Sequence, residues 1–159
     1  MSNISLGFDG VLNWYADRDK VSDLAFEQAL VDSIGYPPKA SAPYVVKADE
    51  ELADRIAGEG GVVDGVTISA VGFYGPQGRQ LRLPIHTPDI NARITDFEYE
   101  GQRITNYEME SAPLAGLSRL LGHKAVTICL VAANRVAGSS NAEYKGEMPD
   151  LVQLVLDRI

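Results

Sequence analysis

The sequence predicts an α/β domain, with a mainly parallel or mixed sheet flanked by helices. Two observations carry this. Short, β-rich apolar runs alternate with segments of helical periodicity, and the connections between them are short. The most apolar of those runs, around Val66 to Val71 and Val126 to Val131, fit strands covered on both faces. At 159 residues and 45% hydrophobic content, the chain is sized for a single domain (1–159) with a real core. No internal repeat, low-complexity segment or second-domain boundary is visible.

Met1 to Tyr15 alternates apolar and polar without settling, with a turn at Phe8-Asp9-Gly10 and a short apolar patch at Val11-Leu12 and Trp14-Tyr15. Asp17, Arg18 and Asp19 mark an exposed loop. Ser22 is a fair N-cap for a helix with Leu24, Ala25, Leu30 and Val31 on or near one face. Gly35 ends it and Pro37-Pro38 enforce the stop. Tyr44-Val45-Val46 reads as a short strand, and Asp49 caps a helix from Glu50 to Ala57.

Gly58-Glu59-Gly60-Gly61 follows that helix and precedes a strand. A glycine-rich phosphate cradle needs the opposite order, so this is a C-cap and turn. Gly65 to Gly72 is the next strand, followed by a loop shaped by Gly75, Pro76 and Gly78. With Pro88 in its first turn, a helix spans about Asp89 to Phe97. Glu100-Gly101 then turns the chain into a strand, Arg103 to Tyr107. A helix follows to about Leu121, with Pro113 near its start and Gly122 closing it. Lys124 to Ala133 reads as a second buried strand, Asn134 to Asn141 as a loop, and a last helix runs from Pro149 with Leu151, Leu154, Val155 and Ile159 on one face.

A net charge of −8 argues against nucleic acid or an anionic membrane as partner, because a phosphate backbone needs a basic face. An anionic substrate would need a local cluster of Arg. The single Cys129 lies in an apolar run and reads as a buried small hydrophobe. Two isolated His offer no metal-ligand set. No cationic, apolar leader opens the chain and no apolar run reaches membrane length, so a soluble, cytoplasmic protein is expected.

Chemistry concentrates at strand ends. Asn106-Tyr107-Glu108-Met109-Glu110-Ser111 puts two carboxylates around a thioether at a strand-to-helix junction. Helix starts tolerate acids, which accounts for each Glu singly. A carboxylate there can also accept from neighbouring hydroxyls, and a Met can pack an apolar sugar face. Phe73 to Arg79 and Ala132 to Arg135 are candidates for the same crevice, since ligands of α/β sheets sit beyond the carboxyl ends of strands. Phe73 can stack on a flat ring, Gln77 both donates and accepts, and Arg79 only donates. Singly, Phe73 would more often be core and the other two solvated loop; together they complement a flat heterocycle bearing an N–H beside carbonyl oxygens, such as uracil.

These stretches, Phe73-Tyr74-Gly75-Pro76-Gln77-Gly78-Arg79, then Asn106 to Ser111, then Val131-Ala132-Ala133-Asn134-Arg135, resemble the C-terminal portion of the uridine phosphorylase branch of the nucleoside phosphorylase family. The resemblance covers most of the chain, including Phe8-Asp9-Gly10, and implies a partial nucleoside phosphorylase fold lacking its N-terminal strands. It implies that Phe73 stacks on the base while Gln77 and Arg79 bond the uracil edge and stabilise charge developing on the leaving base. It implies further that Met109 and Glu110 hold the ribose with Glu108 beside them, and that Arg135 stands near the base as a supporting charge. Asn134 stands near where a purine relative would more often carry an acidic Asp, which leans toward a pyrimidine.

The same resemblance implies phosphate as co-substrate and no other cofactor or metal. The family's phosphate loop and arginines, and an Arg and His lent by a neighbouring subunit, match nothing in this chain; Arg18, Arg55 and Arg93 fall at no matching motif. The expectation is therefore a truncated domain, its apolar face covered by self-association, by a complementing N-terminal segment or by rearranged packing. Two readings of function follow: the nucleoside-holding half of a phosphorylase, or a nucleoside-binding or structural fragment without turnover. An unrelated α/β domain remains the reading if the stretches fail to converge.

Overall fold

The computed structural model describes residues 1–58 and 60–159, so Glu59 of the predicted glycine-rich turn lies outside the described residues. A five-stranded mixed sheet runs in the order β2-β1-β3-β5-β4. Its members are β1 (Ser2–Gly7), β2 (Tyr44–Lys47), β3 (Gly65–Ser69), β4 (Glu98–Tyr99) and β5 (Gln102–Glu108). β1, β3 and β5 are mutually parallel neighbours; β2 is antiparallel to β1, and β4 to β5. The predicted fold class holds.

The sequence reading missed the strand on which the sheet is built. β1 looked unsettled because its polar residues, Ser2, Asn3 and Ser5, read as solvent-facing. In the fold β1 is paired on both sides, and Ser2 and Ser5 are buried. Ser2 Oγ meets Thr67 Oγ1 at 2.7 Å, and Thr67 Oγ1 donates to Asn106 Oδ1 at 2.8 Å. A ladder of small hydroxyls thus satisfies polar groups across three strands, which lets a central strand carry serines.

Helices α1 (Leu24–Ile34) and α3 (Ile90–Asp96) bury Phe26, Leu30, Ile34, Ile90 and Ile94 on one face of the sheet, against Ile4, Leu6, Val66 and Ile68. Helix α4 (Ser111–Leu120) covers the other face, where Ala112 and Ala115 meet Leu12, Tyr44 and Val46. Gly116 permits this approach: a Cβ there would fall 2.8 Å from Leu12. The caps follow local chemistry. Asp49 accepts from Leu52 N at 2.9 Å and starts α2 (Glu50–Ala57), as read from the sequence. α1 is capped one residue later than predicted, by Asp23 accepting from Phe26 N, and its buried face is Phe26-Leu30-Ile34 rather than Leu24 and Ala25. Glu100 and Gly101, at φ 49° and 77°, make the tight turn between β4 and β5.

Four further expectations need correction. Arg18 is no free loop residue: its side chain is only 18% exposed and donates to Glu27, which also accepts from Val45 N. Lys124 to Ala133 does not form the buried strand expected; only its last residue, Ala133, lies in a strand. Before that it touches the sheet at one bridge, Thr127 to Ser2, and without a partner along its length its apolar sequence makes no ladder. The loop from Asn134 carries a small hairpin, β6 (Ala133–Asn134) with β7 (Ser139–Ser140). The last helix, α5 (Tyr144–Leu156), begins before Pro149 and holds that proline within its second turn.

Candidate functional site

β3 and β5 end side by side, with Ala70 N donating to Glu108 O at 2.9 Å. From β3 the chain enters the Phe73 loop, a single 3-10 turn over Gly75–Gln77 with Pro76 inside it. Gly78, at φ 69°, reverses the chain so that Arg79 N reaches back to Tyr74 O at 2.9 Å. The turn folds the loop onto itself and brings three predicted base residues together.

Gln77 is 3% exposed and is the hub. Its Oε1 accepts from Arg79 Nη1 at 2.6 Å and also from Arg135 Nη2. Arg135 Nη1 donates to Gln77 O at 2.7 Å. Arg79 donates to Phe73 O and lays its guanidinium 3.7 Å from the centroid of the Phe73 ring. Phe73 is half exposed, with Tyr74 edge-on to it at 5.3 Å. The third stretch, which reaches the site through the short hairpin strand β6 and not through a strand of the main sheet, still delivers Arg135. Burial, and then the neighbouring Arg79, lower the Arg135 pKa.

The second group lies across the strand end on the α4 side. Glu108 Oε1 accepts from Ser69 Oγ at 2.5 Å and Ser111 Oγ at 2.7 Å; its Oε2 accepts from Glu110 N at 2.6 Å and Ser111 N at 2.8 Å. This carboxylate faces inward and holds the start of α4, satisfying amides that the helix leaves free. Met109 and Glu110 project outward, both exposed, and among the described residues the Glu110 carboxylate takes no hydrogen bond or ion pair. The structure therefore brings Phe73, Gln77, Arg79 and Arg135 into one contact network and sets Glu108, Met109 and Glu110 on the adjacent strand end.

Sequence reasoning passed over Tyr107, Asn91 and Ser69. The Arg135 guanidinium sits 4.7 Å from the Tyr107 ring centroid, and the Tyr107 hydroxyl donates to Asn91 Oδ1 at 3.0 Å. Tyr107 lay inside the motif with no role given; strand alternation with Glu108 would have put it on the opposite face. Asn91 gives no signal in the sequence, being one polar residue on a short helix. Behind the loop, Phe8, Tyr36, Val71, Pro76, Ile85 and Ile90 line an apolar cavity of about 260 Å³. Cys129 is half-buried, and burial pushes its thiol pKa up, so it is a poor nucleophile. Among the described residues no three His, Cys, Asp or Glu gather as a metal site, and no helix is long and apolar enough to cross a membrane.

Residues 7–156 match the family model of the phosphorylase superfamily. Over 72 residues, 45% of this chain and 25% of the relative, the sequence is 39% identical to a uridine phosphorylase of Thermococcus kodakarensis. Over 91 residues, 56% of this chain and 30% of the relative, it is 35% identical to uridine phosphorylase A of Schistosoma mansoni. The fold is similar to that of a Trypanosoma brucei nucleoside phosphorylase described as showing uridine phosphorylase activity, with a TM-score of 0.84 at 20% identity. That match takes in 99% of this chain and 56% of the other, so the chain spans just over half the length of that relative.

Proposed function

Because this chain belongs to the phosphorylase superfamily, we propose that it carries the base- and ribose-holding half of a uridine phosphorylase-type site. The observation that carries this is the Gln77 amide oxygen held by the two guanidiniums of Arg79 and Arg135 beside the Phe73 ring. A flat ring, a fixed amide and two cations make a surface that favours a planar base gaining negative charge.

In phosphorolysis a phosphate oxygen bonds to the anomeric carbon, the glycosidic bond breaks, and its electron pair leaves with the base. Arg79 and Gln77 act where that charge spreads onto the base carbonyls, with Arg135 adding a second positive charge. Preorganisation matters more than contact number, because groups already oriented need no rearrangement as charge appears. Glu110, whose carboxylate takes no partner among the described residues, is the acceptor for ribose hydroxyls and Met109 packs the sugar face. Glu108 sets their place by holding the start of α4. Inorganic phosphate is the co-substrate this reading requires, and no residue of this chain is assigned to hold it.

A second reading, nucleoside binding without turnover, draws on the part-length matches: 25%, 30% and 56% of the three relatives. The deciding experiment follows uracil release from uridine by the purified chain, with and without phosphate. Phosphate-dependent release that disappears in Arg79→Ala supports the enzyme. Calorimetric binding of uridine with no release supports the second reading, and neither binding nor release overturns both.

A further inference from the structure

We propose that Tyr107 and Asn91 are positioning residues that fix the Gln77 side chain and Arg135 from behind, an inference that rests on the nucleoside reading for its ligand. Two routes run from Tyr107 to Gln77. Through its hydroxyl, Tyr107 donates to Asn91 Oδ1 at 3.0 Å. With that oxygen accepting, the Asn91 amide nitrogen is aimed at the loop and donates to Gln77 O and Gly78 O, both at 3.2 Å. Through its ring, Tyr107 carries the Arg135 guanidinium, which donates to both the main-chain and side-chain oxygens of Gln77.

The loop is shaped to meet Asn91. A Cβ on Gly78 would fall 2.4 Å from the Asn91 amide nitrogen, so this approach exists only with glycine there. The consequence reaches the ligand. The Gln77 oxygen accepts from two guanidiniums, and rotating the amide by half a turn would set its NH2 against both cations. Gln77 is thereby locked with its NH2 group on the side away from Arg79 and Arg135, offering a donor to a ring carbonyl. Tyr107 remains a neutral donor well above physiological pH, since burial pushes its pKa up to about 12 against the opposing pull of Arg135 and Arg79.

The test is nitrogen-15 NMR of the chain, comparing the parent with Tyr107→Phe and Asn91→Asp. Tyr107→Phe keeps the ring under Arg135 and removes only the hydroxyl; Asn91→Asp keeps an acceptor for Tyr107 and removes the donor to the loop. Both should move the Gln77 side-chain NH2 pair toward free-glutamine positions, hasten its hydrogen exchange roughly fivefold, and perturb the Gly78 amide, with Tm changed by only a few degrees. Uridine affinity, measured alongside, should fall by a similar factor. Unchanged Gln77 and Gly78 signals in both variants would overturn the proposal. If the parent chain binds no uridine while the variants still release Gln77, the nucleoside reading falls and the positioning stands.

Discussion

The Arg79 guanidinium lies over the Phe73 ring, 3.7 Å from its centroid, so one face of the aromatic surface is already covered by a cation from its own loop. Arg79 therefore both competes for the ring and supplies hydrogen bonds to what sits beside it. Removing it loses a charged hydrogen bond, about 1.5–3 kcal/mol, and frees a ring face that a cation at an exposed site holds by only about 0.5–1 kcal/mol. The loss is larger. Arg79→Ala should weaken uracil binding by about tenfold, read by titration calorimetry, and tighter binding would show that Arg79 only obstructs.

The two glutamates around Met109 should separate cleanly. Glu108 accepts hydrogen bonds from Ser69, Ser111 and the Glu110 and Ser111 amides, so Glu108→Ala strands donors at the start of α4. It should cost about 2–3 kcal/mol in urea denaturation. Glu110→Gln touches no such network and should cost less than about 0.5 kcal/mol. If Glu110 serves the ribose, that change weakens uridine binding and leaves uracil binding alone. Equal losses for both ligands would refute the ribose role.

Gly7 sits against the ring of the fully buried Tyr44: a Cβ at Gly7 would lie 2.1 Å from Tyr44 Cζ. Tyr44 cannot swing away without leaving Asp9, to which its hydroxyl donates at 2.8 Å. Gly7→Ala should therefore destabilise the chain by about 2–3 kcal/mol through overpacking. A urea midpoint equal to that of the parent chain would show that this interface yields.

Stability should fall at alkaline pH. Burial, with Asp9 adding to it, raises Tyr36 to about 12; burial raises Tyr107 to about 12 and Tyr44 further still. A raised folded-state pKa means these phenols contribute fully below their ordinary value of 10.0, and the contribution is lost as pH climbs from there toward 12. Urea midpoints should be flat from pH 8 to about 10 and then drop, less steeply in Tyr107→Phe. A flat profile to pH 11.5 would contradict this.

Much of the fold was legible because its signals are local. Asp49 as a cap, Gly35 as a stop, the Glu100-Gly101 turn and the apolar run after Gly65 each act within a few residues of themselves. Phe73, Gln77 and Arg79 stood out by residue type on one loop, Arg135 was placed beside them by the family resemblance, and the four do meet. What escaped depends on partners far along the chain. Lys124 to Ala133 has the composition of a strand, but a strand exists only where another edge is free to pair with it.

The sequence by itself determined the class of fold, most of the caps and turns, and which stretches bring aromatic, amide and guanidinium groups to the candidate site. Tertiary structure alone decided the rest: that the serine-bearing Ser2–Gly7 is a central strand, and that Glu108 faces inward to hold a helix while the Glu110 carboxylate takes no partner among the described residues. It also decided that Asn91 and Tyr107 stand behind Gln77. The reason is physical. Dihedral preferences and caps are encoded where they act, whereas burial, pairing and hydrogen-bond direction exist only once distant segments have been packed together.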